Sequence, residues 1–532
     1  MMIKLNTNRK FKVVFPIILL FVGLFIPTSL LADVRLSSLF CDHMVLQRDV
    51  AIPVWGMATK GEQITVTLNN ASQTTVADGS GKWMVRLNKQ KAGGPYQLEI
   101  KGKNVVALKD VYVGEVWLCS GQSNMDMTVA KENRYWCGVQ NETQEVESAN
   151  YPQIRVFDVD FTPNNTVQTN AVGQWEICSP KTVGHFSAAA YFFAREIYQK
   201  LHVPIGLITS AYGASTAETW ISKSALESHS SLKPLLDAYN QKWEKFVADS
   251  AGIMQKYKDQ LAKYNGDLAA AQAASGDVNA KKPRVPRNPD PELDQHNPIV
   301  CYNGMIAPLV PYAIRGAIWY QGESNGPSAT QYREIMGTLI ADWRTRWGLG
   351  NFPFLYVQLA NYGKPMTEPV KNDPLMIVRE AQVQNLSVPN TAMVCAIENA
   401  GDQPENIHPK NKQAIGYRLG LAARAKVYGE KVEYSGPMYK NYKVEGKNIR
   451  LYFDHVGTGL VAKDGKLTGF AICGEDKKWV WADAKIDGKT VLVSNLEITK
   501  PIAVRYCWGT NPPASLSNKE GLWTPNFRTD NF

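Results

Sequence analysis

The chain has 532 residues, of which 44% are hydrophobic and 20% charged, a composition that excludes a disordered or fibrous protein and provides for roughly three domains at about 150 residues each. Fifty-eight Lys and Arg against 49 Asp and Glu give a formal charge of +9. Four of those cations (Lys4, Arg9, Lys10, Lys12) precede any acidic residue, and the remaining +5 is too mild and too scattered to imply a nucleic-acid partner.

Residues 1–32 read as a secretory signal peptide: the four cations form the n-region, Val13 to Leu31 is apolar, and Ala32 supplies a small residue before Asp33. Pro16 and Pro27 interrupt the apolar run, which favours cleavage over a retained membrane anchor. The mature protein is therefore expected to be periplasmic or secreted, with no membrane association once the leader is removed. Export into an oxidising space makes room for one or two disulfides among Cys41, Cys119, Cys137, Cys178, Cys301, Cys395, Cys473 and Cys507. No CxxC or HExxH motif occurs, so neither a metal nor any other cofactor is expected.

From 33 to 110 short alternating runs separated by turn signals (Ile64–Leu68, Trp83–Leu87, Tyr96–Ile100) predict a small antiparallel β domain. At Val116-Trp-Leu-Cys119 the texture changes to a continuous apolar run, suited to a strand buried on both faces, and strands then alternate with helices. Ser187 is placed to cap a helix from Ala188 to Lys200, before the strand Ile205–Thr209. Ala317–Tyr320 is a strand followed by a helix carrying Tyr332, Ile335, Met336, Leu339, Ile340, Trp343 and Trp347 on one face. Phe354–Val357 and Ala392–Ile397 are further strands, and Asn411 to about Val427 a closing helix. The predicted fold class is α/β, a doubly wound parallel sheet, with the sheet domain in two parts, 111–221 and 299–430. Between them, 222–298 reads as a helical insertion with a Pro-rich linker, and 431–532 as a second β-rich domain.

In open α/β sheets the ligand crevice lies outside the carboxyl ends of the strands. Three turns there pair a glycine with polar side chains: Ser120-Gly-Gln-Ser-Asn-Met125, Ser210-Ala-Tyr-Gly-Ala-Ser215 and Tyr320-Gln-Gly-Glu-Ser-Asn325. A nucleophilic serine needs a base, and most histidines lie in the flanking domains, the insertion or a helix end; His185 and His408 remain. His408 is preferred, because it follows a strand and has an acidic residue three positions earlier to orient its ring. Taken singly, Ser123 reads as a helix N-cap, Asn325 as a turn residue and Gly213 as a positive-φ glycine; together at one sheet edge with His408 they read as a site. A competing nucleophile-elbow pattern, Gly322-Glu-Ser-Asn-Gly326, leaves the first turn unexplained.

Gly121-Gln-Ser-Asn124, Gly213, Gly322-Glu-Ser-Asn325 and Glu405-x-x-His408 resemble the four blocks of SGNH hydrolases. The longer strings Tyr302-Asn-Gly-Met-Ile-Ala-Pro-Leu309, Trp319-Tyr-Gln-Gly-Glu-Ser-Asn325, His408-Pro-Lys-Asn-Lys412 and Phe527-Arg-Thr-Asp530 resemble bacterial sialate O-acetylesterases, over most of the mature chain. The resemblance implies an SGNH-like sheet and a serine esterase acting on O-acetylated sialic acid, or on another acetylated polysaccharide such as xylan, with a non-catalytic glycan-binding protein as the rival from another class. It further implies Ser123 as nucleophile, His408 as base, and an oxyanion hole from the N–H groups of Ser123 and Gly213 with the amide of Asn325. The third catalytic member stays open: the family spacing selects Glu405 where Asp is usual, Asp402 competes, and a backbone carbonyl would make the enzyme a Ser-His dyad.

Overall fold

The computed structural model describes residues 33–275, 284–397 and 406–532. The leader therefore lies outside the described residues. So do Asp402 and Glu405.

The central sheet is built from β1 (Val105–Gly121), β2 (Tyr151–Asp158), β3 (Trp175–Cys178), β4 (Ile205–Ala211), β5 (Gly316–Tyr320), β6 (Phe354–Gln358) and β7 (Thr391–Cys395). Their order is β3-β2-β4-β1-β5-β6-β7. All neighbours are parallel except β3, which runs antiparallel to β2. The continuous apolar runs become strands with both faces covered: every residue of β5, β6 and β7 is buried, as crossover helices on both sides of a parallel sheet require. This is the expected α/β doubly wound architecture, with one departure from strict βαβα alternation in the β2–β3 hairpin.

β1 is longer than expected. Its first half pairs with Gly93–Lys101 of the N-terminal antiparallel strands, and its second half lies between β4 and β5. One strand thus runs through position 110 and is shared by both layers. The helices α1 (Ala188–Leu201), α2 (Tyr332–Trp347), α3 (Pro374–Gln384) and α4 (Lys412–Lys426) cover the sheet. Ser187 caps α1, its hydroxyl accepting from the Ala190 N–H. α4 crosses α1 at Gly416 and Gly420, where an added Cβ would lie 2.3 Å from Phe192 Cβ and 2.3 Å from Glu196 Cγ. That close crossing brings the amino end of α4, and the loop before it, towards the carboxyl end of β1.

Between β4 and β5 come helices Lys223–Ser228, Lys233–Ala248 and Ser250–Ser275. The second buries Leu236 and Tyr239; in the third, Met254, Tyr257, Leu261 and Tyr264 stay partly exposed. After α4 the chain forms two four-stranded antiparallel β-sheets and a two-stranded one around Ile449, Leu451, Phe470, Ile472, Val491, Val504 and Tyr506. None of the eight cysteines forms a disulfide and seven are buried, so the allowance for one or two disulfides is corrected: the apolar interior uses these side chains as small hydrophobes.

Candidate active site

β4, β1 and β5 are adjacent, and their ends align with Ala211 opposite Gly121 and Tyr320 opposite Gly121. The three polar turns therefore open side by side. Gly121 has φ 146°, and a Cβ there would sit 2.2 Å from the Tyr320 carbonyl oxygen, so only glycine lets the first turn leave the sheet this close to β5. A single helical turn, Ser123–Asp126, follows. Its cap position is Gln122, and Ser123 is the first residue inside it. The Ser123 hydroxyl is thus not spent on capping, and its N–H has no acceptor within the turn.

His408 Nε2 lies 2.8 Å from Ser123 Oγ, although the two residues are 285 positions apart. His408 is the residue whose ring reaches the nucleophile turn; His185 instead lies 3.1 Å from Glu176 Oε1. The His408 ring sits against Trp136, with centroids 4.9 Å apart. Burial, followed by the positive fields of Lys412 and Lys410, lowers its pKa to about 4. At neutral pH the imidazole is therefore uncharged and able to accept a proton. Asn406 Oδ1 accepts from the His408 N–H at 2.9 Å and shapes the loop.

Gly213 closes over the other side of the serine: a Cβ built on it would lie 3.8 Å from Ser123 Cβ and 3.7 Å from Asp126 Oδ2. Its N–H is directed at the Asp126 carboxylate. Gly213 does not itself carry a positive φ; Ala214 does, at 58°.

Asn325 requires a correction. It is fully buried, and its Nδ2 donates to Glu218 Oε2 at 2.8 Å and to Ser328 Oγ at 3.1 Å. Its Oδ1 accepts from the Ala217 N–H at 2.9 Å and from Gln321 Nε2 at 2.6 Å. Both amide hydrogens are used internally, tying the turn after β5 to the segment after β4, so the side chain has no donor left for an oxyanion. Ser324, centre of the elbow pattern, gives its N–H to Gln122 Oε1 at 3.1 Å.

Sequence reasoning passed over a group beside the nucleophile. Arg134 Nη1 pairs with Asp126 Oδ1 at 3.0 Å, and its guanidinium lies 4.9 Å above the Trp136 ring, with the arginine side chain 35% exposed. Lys410 Nζ donates to the Trp136 and Cys137 carbonyls and holds this loop to the His408 loop. Tyr212, from the second turn, stacks on Phe161 at 3.4 Å. The local signal was the cluster Arg134-Tyr-Trp-Cys137 following the nucleophile turn, an aromatic and cationic run in a segment without helical or strand periodicity.

Comparison with known proteins gives a consistent picture. The profile of the family described as carbohydrate esterase, sialic acid-specific acetylesterase matches residues 113–256 and 300–424. Sialate O-acetylesterase from Rattus norvegicus is 30% identical over 519 residues, covering 90% of each chain, and that from Homo sapiens is 29% identical over 544 residues, covering 93% of this chain and 92% of its own. Among solved structures, a carbohydrate acetylesterase from Xanthomonas citri is 33% identical, with TM-score 0.77 over 94% of this chain and all of its own.

Proposed function

The chain belongs to the sialic acid-specific acetylesterase family of carbohydrate esterases, and on that premise we propose that it removes O-acetyl groups from sialic acid by a Ser123–His408 mechanism. That the protein is an esterase follows from the family; the mechanism and the sugar are the proposal. The observation that carries it is the 2.8 Å contact between His408 Nε2 and Ser123 Oγ at the crevice edge of the sheet.

In this reading Ser123 Oγ attacks the acetyl carbonyl while its proton passes to Nε2 of neutral His408. The N–H of Ser123 holds the resulting oxyanion, joined by that of Gly213 once the acetyl oxygen displaces the Asp126 carboxylate from it. Collapse expels the sugar oxygen, which takes the proton from His408 and leaves as the free hydroxyl. Water then attacks the acetyl-serine with His408 again as base, and acetate departs. Arg134, held at the lip by Asp126 and Trp136, is the cation suited to the carboxylate of a sialic acid. The leader reading places the enzyme in the periplasm or outside the cell, acting on free or glycan-linked substrate.

A second reading is an acetylated neutral polysaccharide such as xylan; the Xanthomonas citri enzyme is described as a carbohydrate acetylesterase without restriction to sialic acid. Acetate release from O-acetylated sialic acids and from acetylated xylan, measured for wild type and Arg134→Gln, decides between them. Sialate is expected to be the better substrate, with the variant raising KM for sialate alone; equal or greater activity on xylan overturns the sialate assignment.

A further inference from the structure

Beneath the Ser123–His408 pair lies a buried polar chain that the chemistry above does not use. Asn124, next to the nucleophile and 1% exposed, turns inward. Its Nδ2 donates to Glu323 Oε1 at 2.6 Å and to the Ile407 carbonyl at 3.0 Å. Its Oδ1 accepts from Lys412 Nζ at 2.9 Å, and the same ammonium donates to the Pro409 carbonyl at 2.5 Å. Lys412 is fully buried, with its Nζ 5.7 Å from the centre of the Tyr320 ring.

Ile407 and Pro409 are the two neighbours of His408. The peptide carbonyls on either side of the base are thus each held by one member of this chain, and both members meet at the residue following Ser123. Glu323 anchors the assembly to the third turn; its Oε2 is buried and finds no hydrogen-bond partner among the described residues. Burying a lysine and a carboxyl group with an amide between them carries a desolvation cost that a hydrophobic cluster would avoid. Folding alone does not account for that cost. The need to register two remote segments does, because a misplacement of about 1 Å between catalytic groups costs about 10²-fold in rate.

We infer that Asn124, Lys412 and Glu323 are positioning residues that hold His408 in line with Ser123, an inference that rests on the Ser123–His408 reading above. None of the three is placed to touch the substrate, so their loss acts on kcat and leaves KM alone. The test uses the full-length enzyme and two readouts: steady-state hydrolysis of p-nitrophenyl acetate, and the rate at which a fluorophosphonate labels Ser123. Asn124→Ala and Lys412→Met, each confirmed folded by circular dichroism, are expected to lower kcat and the labelling rate together by about 10²-fold with KM within about threefold of wild type.

Glu323→Gln keeps an acceptor for Asn124 and is expected to stay near wild type, whereas Glu323→Ala falls at least about tenfold. This second pair decides the matter if Lys412→Met does not fold. Wild-type kcat in folded Asn124→Ala and Lys412→Met, a change confined to KM, or equal kcat in the two Glu323 variants overturns the inference. Retained activity in Ser123→Ala would instead overturn the catalytic reading on which it stands.

Discussion

Replacing Asn325 with alanine separates two roles that the turn after β5 can have. As an oxyanion donor, Asn325 would contribute to the transition state alone, and its loss would lower kcat about 10²- to 10³-fold in a protein of unchanged stability. The hydrogen bonds seen here lead to the opposite expectation. Asn325→Ala leaves Glu218 Oε2, the Ala217 N–H and Gln321 Nε2 without the partner each now has in a fully buried site. Each buried group left unpaired costs about 1–3 kcal/mol; Gln321 Nε2 keeps the Ser215 carbonyl, so two groups are orphaned and the variant loses roughly 2–6 kcal/mol. Burial already raises the Glu218 carboxyl above its ordinary range, and removal of the Asn325 donor pushes it further towards the protonated form. The melting temperature is expected to fall by roughly 10 °C. The assay pairs urea unfolding at neutral pH with kcat on p-nitrophenyl acetate, measured well below the transition. A variant as stable as wild type that has lost about 10²-fold or more in kcat would refute this account and restore Asn325 as a donor to the oxyanion.

Ser123→Ala lowers kcat by several orders of magnitude with the fold intact, while Ser324→Ala changes it little; the reverse ranking in ester hydrolysis would revive the elbow pattern. Because His408 must be unprotonated to act as base and its pKa is lowered to about 4, kcat/KM falls as pH drops through about 4. A profile on a neutral ester whose acid limb lies near the ordinary histidine value of about 6.5 would contradict the burial and the lysine fields assigned to it. Reaction with a thiol reagent under denaturing, non-reducing conditions is expected to count eight thiols, and a reductant is expected to leave the melting temperature unchanged. A count of four or six would establish the disulfides that export allows.

Much of the architecture was legible in local order. The continuous apolar runs at Val116–Cys119, Ala317–Tyr320 and Phe354–Val357 could satisfy their hydrophobic faces only inside a sheet covered on both sides, and the three- and four-residue spacing from Tyr332 to Trp347 only as a helix packed along one face. The carboxyl edge of such a sheet is where a ligand crevice forms, which singles out Ser123 and the loop of His408. What escaped depended on contacts between segments remote in sequence. β2 escaped because Arg155 breaks its apolar run; that arginine is 2% exposed and lies 2.9 Å from Asp110, a partner no local window contains. Arg134 and Trp136 belong to a loop without periodicity, and only the fold lays them on His408 and Asp126.

Asn325 shows the limit most directly. Sequence determined that a polar residue ends the glycine turn after β5, but a turn constrains only its own backbone, whereas the direction of the side chain depends on which buried acceptors compete for it. Glu218, Ser328 and Gln321 meet at Asn325 through tertiary packing, and the buried Glu218 carboxyl group, in need of a donor, drew the amide inward. The sequence by itself determined which residue types stand at the edge of the sheet; the tertiary structure decided which of them face the crevice, because hydrogen-bond satisfaction in the interior is settled between segments.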